Sequence, residues 1–143
     1  MSDLLKIGIS IGDVNGIGLE VIIKTLAQAE VYQYCTPIVY GHTKVASFHR
    51  KTVGIQEFLF QVVNNADSAH AGKPNMINCW EEDVKIELGT ANETGGKYAF
   101  LSLKRATEDL VAGKIDALVT APINKHNIQN EVFKFAGHTE YVQ

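Results

Sequence analysis

The feature that most constrains the fold is an alternation of short apolar runs with longer segments of helical periodicity. The apolar runs are Leu5–Gly12, Thr36–Gly41 and Phe58–Val63, and their lengths suit buried strands. Between them, Ile17–Ala29 and Thr43–Val53 have the apolar spacing or capping signals of helices. This β-α-β-α-β order predicts an α/β fold with a mainly parallel sheet and flanking helices.

The second half of the chain continues the pattern less regularly. A polar stretch over 64–75 predicts a loop, and Gly89–Gly96 is a second polar connection. The further predicted elements are short strands at Ile77–Trp80 and Val84–Leu88, a helix from about Thr94 to Ala112 that Gly113 ends, a strand at Asp116–Thr120, and a short helix from Pro122 to about Gln129.

Composition excludes several classes of function. Of 143 residues, 45% are hydrophobic and 20% are charged, which is enough apolar material for a packed core. A net charge of −3 with interspersed signs gives no footprint for nucleic acid, and no apolar run is long enough to span a membrane. The start lacks a secretory signal, and Cys35 and Cys79 have no metal-type spacing. We therefore expect a cytoplasmic protein with two reduced thiols.

Polar residues gather where the last predicted strand ends. Thr120, Asn124 and Lys125 follow the apolar run, and Pro122 would stiffen the turn between them. The cluster Gly137–Glu140, which contains His138 and Thr139, comes a dozen residues later. Carboxyl ends of strands are where α/β enzymes bind ligands. A lone histidine is nevertheless more often a packing residue, so the residues alone leave both interpretations of His138 open.

The first predicted strand is followed by a glycine-rich turn, Gly12–Glu20. It is neither a Walker loop nor a dinucleotide-binding fingerprint. Amides at the start of the next helix would favour an anion, whereas Asp13 would repel one and suits a ligand hydroxyl better. A tight structural turn and a ligand loop are about equally consistent with these residues.

The remaining histidines and the aromatic residues carry no recognisable chemistry. Trp80 and the phenylalanines are interpreted as core or loop packing, and no catalytic triad or zinc motif is present. The histidines interpreted as surface or loop residues are His42, His49, His70 and His126.

Three segments together resemble the 4-hydroxythreonine-4-phosphate dehydrogenase family of pyridoxal phosphate biosynthesis. They are Gly12–Glu20 (GDVNGIGLE), Val119–Lys125 (VTAPINK) and Gly137–Glu140 (GHTE). The family typically reads Gly-Asp/Glu-Pro-Ala-Gly-Ile-Gly-Pro, then Thr-x-Pro-hydrophobic-x-Lys, then Gly-His-Thr-Glu. Here Val14-Asn15 replaces Pro-Ala, and Leu19 replaces the second Pro. Family members are much longer, so the resemblance identifies this chain as their N-terminal portion.

The resemblance implies a fold like that of isocitrate and isopropylmalate dehydrogenases, with two lobes around a cleft and the second lobe beginning within residues 89–143. It implies NAD-dependent oxidation and decarboxylation of 4-phosphooxy-L-threonine by a homodimer. A divalent metal (zinc, magnesium or cobalt) would be bound by histidines beyond Gln143, and none of its ligands lies within this chain. His138 and Thr139 match the family's substrate contacts. Asp13 and Lys125 match motif positions, and with Thr120 and Asn124 they are candidate substrate or cofactor contacts.

Two alternatives remain beside this assignment. Relatives that resemble the family oxidise phosphorylated sugar acids such as phospho-threonate or phospho-erythronate, which lack the amino group. A non-catalytic α/β module that binds a small molecule is the other alternative. Under the leading hypothesis the 143 residues alone should be inactive, because metal ligands and half of the cleft are missing.

Overall fold

A computed structural model describes residues 4–55, 58–82, 84–87, 89 and 93–121 as a parallel sheet flanked by helices. The five strands are β1 (Leu5–Ser10), β2 (Cys35–Gly41), β3 (Gln61–Val63), β4 (Asn75–Asn78) and β5 (Ala117–Thr120). The helices are α1 (Gly18–Leu26), α2 (Thr43–Val53) and α3 (Glu93–Val111), with 3₁₀ turns at Ala29–Gln33 and Ala66–Ser68. The strand order is β3-β4-β2-β1-β5, and every pair in it is parallel.

The predicted fold class, an α/β fold with a mainly parallel sheet and flanking helices, is confirmed. The predicted strand Phe58–Val63 is shorter than expected, because its partner β4 begins only at Asn75, which pairs with Gln61. The predicted strand Val84–Leu88 is wrong for the residues described, since 84–87 adopt no regular structure. Backbone amides in this region bond to Asn15 instead of to a neighbouring strand.

The sheet separates two apolar clusters, as the alternation of side chains along β2 requires. Ile38 and Tyr40 are fully buried in one cluster, where Ala106 of α3 packs against them. Val39 is fully buried in the other cluster, where α1 contributes Ile22 and other apolar residues. Both faces of the central strands are therefore covered, which explains why they read as nearly continuous apolar runs.

A buried serine fastens α3 to the sheet. The hydroxyl of Ser102 accepts the Ile11 backbone N–H at 3.0 Å and donates to the Tyr40 carbonyl at 2.5 Å. Ile11 directly follows β1, so this contact fixes α3 against the place where the chain leaves the sheet. No helix among the described residues is long and apolar enough to cross a bilayer.

Candidate functional site at the carboxyl edge of the sheet

The carboxyl ends of β1 and β5 lie side by side. Ser10 pairs with Thr120, and the Ala121 N–H donates to the Ser10 carbonyl at 3.1 Å. The glycine-rich turn leaves β1 at this point, so the structure brings it to the same edge as Thr120. Two of the candidate contacts, Asp13 and Thr120, therefore lie at the same edge of the sheet. The other predicted site residues (Asn124, Lys125, His138 and Thr139) lie outside the described residues, as do His126 and the helix predicted from Pro122.

The turn after β1 is closed by Asp13. Its carboxylate oxygen Oδ1 accepts the Asn15 N–H at 2.8 Å, and its carbonyl accepts the Gly16 N–H at 3.0 Å. Gly12 enters the turn with a φ of 72°, a conformation that favours glycine. Asp13 is nine-tenths buried. The sequence was equally consistent with a structural turn and with a ligand-binding loop. The contacts of Asp13 within the chain are those of a structural turn.

The Asp13 carboxylate also lies against the first turn of α3. A Cβ atom added to Gly95 would overlap it, coming within 2.7 Å of Cγ and 2.8 Å of Oδ2. A carboxylate near a helix N-terminus is stabilised by the helix dipole, by about 0.3–1 kcal/mol at exposed sites and more when partly buried. Asp13 therefore connects the end of β1 to the start of α3.

Gly18 brings α1 into direct contact with the residues that follow β1 and β5. A Cβ at this position would overlap the Ile11 carbonyl oxygen and approach the Ala121 Cβ to 3.0 Å. The first residue of α1 is therefore packed against backbone. Because the Asp13 carboxylate closes the turn and would repel a phosphate, the described loop does not suit the pyrophosphate of a dinucleotide.

A groove of about 200 Å³ lies between α1 and β5. Thr120 and Thr25 line it together with aliphatic residues such as Val21, Ile22 and Val119. Because its lining is mostly apolar, the groove does not suit a phosphorylated ligand. Of the two candidate site residues that the structure describes, Thr120 borders the groove and Asp13 does not.

Two histidines that the sequence assigned to the surface or to loops are buried. His42 lies in the connection between β2 and α2, as a loop residue would, but it is only 7% exposed. His49 is on α2 and only 2% exposed, so its assignment as a surface or loop residue was wrong. The His49 ring nitrogen Nε2 lies 2.8 Å from the Val14 carbonyl, which can only accept. The proton of this bond must therefore be on Nε2, and His49 holds the glycine-rich turn from the α2 side. His70 is exposed, as predicted.

His42 belongs to an aromatic stack that sequence reasoning missed. Its ring lies parallel to Trp80 at 5.7 Å, and Trp80 lies 4.6 Å from Tyr98 of α3. His42 Nδ1 accepts the Lys44 N–H at 3.1 Å and so caps α2, which begins at Thr43. Its position directly after a buried strand could have indicated that His42 lies at the carboxyl edge of the sheet. The same argument made Asp13 a candidate site residue. Trp80 is buried, which confirms its interpretation as packing.

The cysteines offer no nucleophile. Both are free thiols, as predicted. Burial raises the pKa of Cys79 to about 12, and burial also raises the pKa of Cys35. Both thiols are therefore protonated at neutral pH, whereas a reactive cysteine needs a lowered pKa.

The described residues supply no metal centre. Among them, no group of three or more His, Cys, Asp or Glu side chains is arranged to hold a metal ion. The histidines that the structure describes are used for capping, for packing or at an exposed position. A divalent metal therefore does not fit this part of the chain.

Comparisons with known proteins agree with the fold and with the resemblance. The family model described as "Pyridoxal phosphate biosynthetic protein PdxA" matches residues 33–143. A 4-hydroxythreonine-4-phosphate dehydrogenase of Bacteroides thetaiotaomicron is 46% identical over 139 residues, which are 97% of this chain and 38% of the relative. A Clostridium botulinum protein provisionally named D-threonate 4-phosphate dehydrogenase is 34% identical, with 94% of this chain and 41% of the relative covered.

A solved structure is similar over almost the whole chain. The crystal structure of a 4-hydroxythreonine-4-phosphate dehydrogenase from Burkholderia phymatum matches with a TM-score of 0.88 and 35% identity. The match covers 97% of this chain and 42% of that one. The chain thus spans about two fifths of the length of the relatives it matches.

Proposed function

The chain belongs to the PdxA family of pyridoxal phosphate biosynthetic proteins, and on that premise we propose that the protein containing it is an NAD-dependent dehydrogenase that oxidises and decarboxylates 4-phosphooxy-L-threonine. The observation that carries the proposal is the 46% identity with the Bacteroides enzyme, which extends over 97% of this chain. The family's role in pyridoxal phosphate biosynthesis supplies the pathway.

In this proposal His138 and Thr139 bind the substrate. Their support is the Gly137–Glu140 motif, which follows the strand that ends at Thr120. Thr120 lies at the carboxyl edge beside the glycine-rich turn, which is the edge where α/β enzymes bind ligands. Asn124 and Lys125 come soon after it in the chain, and a lysine there is a suitable point charge for a phosphate. Asp13 has contacts within the chain and is the weakest candidate for a ligand contact.

The proposal assigns NAD and the metal to other parts of the protein. The glycine-rich turn does not fit a dinucleotide pyrophosphate, and the described residues hold no metal cluster. We place the ligands of a divalent ion (zinc, magnesium or cobalt) outside this chain and expect a cytoplasmic homodimer to complete the site. The described residues then form the scaffold: they bring the Thr120 strand, the glycine-rich turn and the start of α3 to one edge.

The test is a turnover measurement on the full-length protein. NADH formation is followed with 4-phosphooxy-L-threonine, NAD and each candidate metal, before and after treatment with a chelator. Metal-dependent NADH formation supports the proposal, and its absence with every metal contradicts it. The isolated 143-residue segment serves as a second sample. Turnover by that segment would contradict the proposal that the essential metal ligands lie elsewhere.

A second candidate substrate is 4-phospho-D-threonate. The observation that favours it is the 34% identity with the Clostridium protein over 94% of this chain. The two substrates differ in the amino group, so a comparison of kcat/KM for the pair with the same enzyme decides between them. A higher kcat/KM for the threonate would replace the leading assignment and leave the family unchanged.

A further inference from the structure

One residue of the glycine-rich turn has contacts that reach far along the chain. Asn15 is 1% exposed, and its side-chain oxygen Oδ1 accepts the Glu87 N–H at 2.7 Å. Its backbone carbonyl accepts the Gly89 N–H at 2.8 Å. Two amides of the connection that leads into α3 are therefore held by a single residue more than seventy positions earlier.

The connection has the surface pattern of a strand, but no strand that the structure describes pairs with it. Val84 and Ile86 are partly buried and pack against the core cluster on the α1 side of the sheet, whereas Lys85 and Glu87 are exposed. This alternation determines which face of the segment is buried. The hydrogen bonds to the buried Asn15 fix its backbone at Glu87 and Gly89.

The same turn also fixes the two elements beside the connection. Asp13, two residues earlier, lies against Gly95 in the first turn of α3. Gly18, three residues later, is packed against Ala121 at the end of β5. The turn thus sets the position of the 84–89 connection relative to the strand end that carries Thr120.

We propose that Asn15 is a positioning residue of the enzyme, which holds the 84–89 connection as one wall of the carboxyl edge. This inference rests on the proposed function. The typical family motif has alanine at this position, and an alanine side chain has no hydrogen-bond acceptor. The anchor is therefore a feature of this chain that the shared motif does not supply. Asn15 acts through the connection and not on the reacting atoms, so its loss loosens substrate binding more than it slows the chemical step.

The experiment compares Asn15→Ala with Val14→Ala in the full-length protein. Val14 is the neighbouring buried residue, and its truncation removes apolar packing without touching the Glu87 amide. Amide hydrogen exchange at Glu87 and Gly89 is measured together with KM and kcat for the phosphorylated substrate. We expect Asn15→Ala to raise Glu87 exchange and KM by roughly tenfold each, the equivalent of one lost hydrogen bond of about 1.4 kcal/mol, and to change kcat by less than about threefold.

Val14→Ala should lower global stability and leave the Glu87 exchange and KM near wild type. The inference is wrong if Asn15→Ala lowers stability but leaves the Glu87 exchange rate and KM unchanged. It is also wrong if Asn15→Ala changes the exchange rate and KM no more than Val14→Ala does, because Asn15 is then only a packing residue. The wild-type protein gives a test that requires no variant. If its Glu87 amide exchanges as fast as an unstructured amide, the hydrogen bond to Asn15 does not hold the connection and the inference is wrong. If the wild type oxidises no phosphorylated hydroxy acid, the proposed function fails, and the exchange data still decide whether the anchor exists.

Discussion

The phenolic hydroxyl of Tyr40 donates a 2.6 Å hydrogen bond to the Asp109 carboxylate, and this bond joins the middle of the sheet to α3. Tyr40 is fully buried and Asp109 is 6% exposed. The Arg105 guanidinium lies 3.9 Å from the other carboxylate oxygen and offsets its charge. Two helical turns earlier, Ser102 bonds to the Tyr40 carbonyl. The same strand residue thus fixes α3 at two points, which sets the direction of the helix across the sheet.

Substitution of Tyr40 by phenylalanine should destabilise the protein by about 1–3 kcal/mol at pH 7, because a buried carboxylate loses its donor while the ring still packs. Burial, followed by the hydrogen bond and the charge of Asp109, raises the pKa of Tyr40 in the folded state above its ordinary value of 10.0. A raised pKa contributes stability that is fully present below pH 10 and is lost as pH rises, since the unfolded chain then ionises first.

The stability difference between wild type and Tyr40→Phe should therefore shrink as pH rises above 10. Urea denaturation at pH 7, 9, 10 and 11 measures it. Cys79, whose pKa burial raises to about 12, titrates in both proteins and cancels from the difference. A difference that stays constant up to pH 11 would contradict the role assigned to the phenol.

Substitution of Gly18 by alanine should destabilise the protein by about 1–3 kcal/mol, because the added methyl group meets the rigid Ile11 carbonyl. Gly16→Ala in the same turn is the matched control, since its Cβ would come only to 3.4 Å of the Asp13 carbonyl. We expect this control to change stability by less than about 1 kcal/mol. Thermal melts of the two variants test the comparison, and equal losses would show that helix packing does not require Gly18.

The elements that could be predicted from sequence are those whose pattern is local. The apolar run of β2 and the helical stripe of α3 identify these elements without knowledge of their partners. The connection 84–87 alternates apolar and polar residues just as a strand does, yet it has no neighbouring strand among the described residues. Its Glu87 amide bonds to Asn15, and no local pattern encodes a partner so distant in sequence.

Only those residues of the candidate site that come soon after a predicted strand could be placed from the sequence. Thr120 and the Asp13 turn meet at the carboxyl edge because parallel strands end there. His42 occupies the corresponding place after β2, but a single histidine in sequence does not indicate the Trp80 ring that stacks on it. Burial of His49 likewise depends on the Val14 carbonyl, which is brought to it only by the fold.

The two thiols should differ in reactivity at pH 8. Cys79 should react with a disulfide reagent more slowly than Cys35, because a pKa of about 12 leaves very little thiolate and the side chain is the more deeply buried of the two. The variants Cys35→Ser and Cys79→Ser assign the two rates, and addition of urea should make the remaining thiols react equally. Fast labelling of Cys79 in the folded protein would mean that the strand end at Asn78 opens readily.

Substitution of His138 by alanine in the full-length protein separates the enzymatic interpretation from a packing role. As a substrate contact, His138 would contribute one hydrogen bond to a charged group, so kcat/KM should fall roughly 10- to 100-fold while the melting temperature changes little. His138→Asn, which keeps a side-chain donor, should fall between wild type and alanine. If His138 instead packs in the core, the alanine variant should unfold at a lower temperature, and its folded fraction should retain the wild-type kcat/KM. Activity measured well below the melting temperature, with the folded fraction determined by circular dichroism, distinguishes the two outcomes.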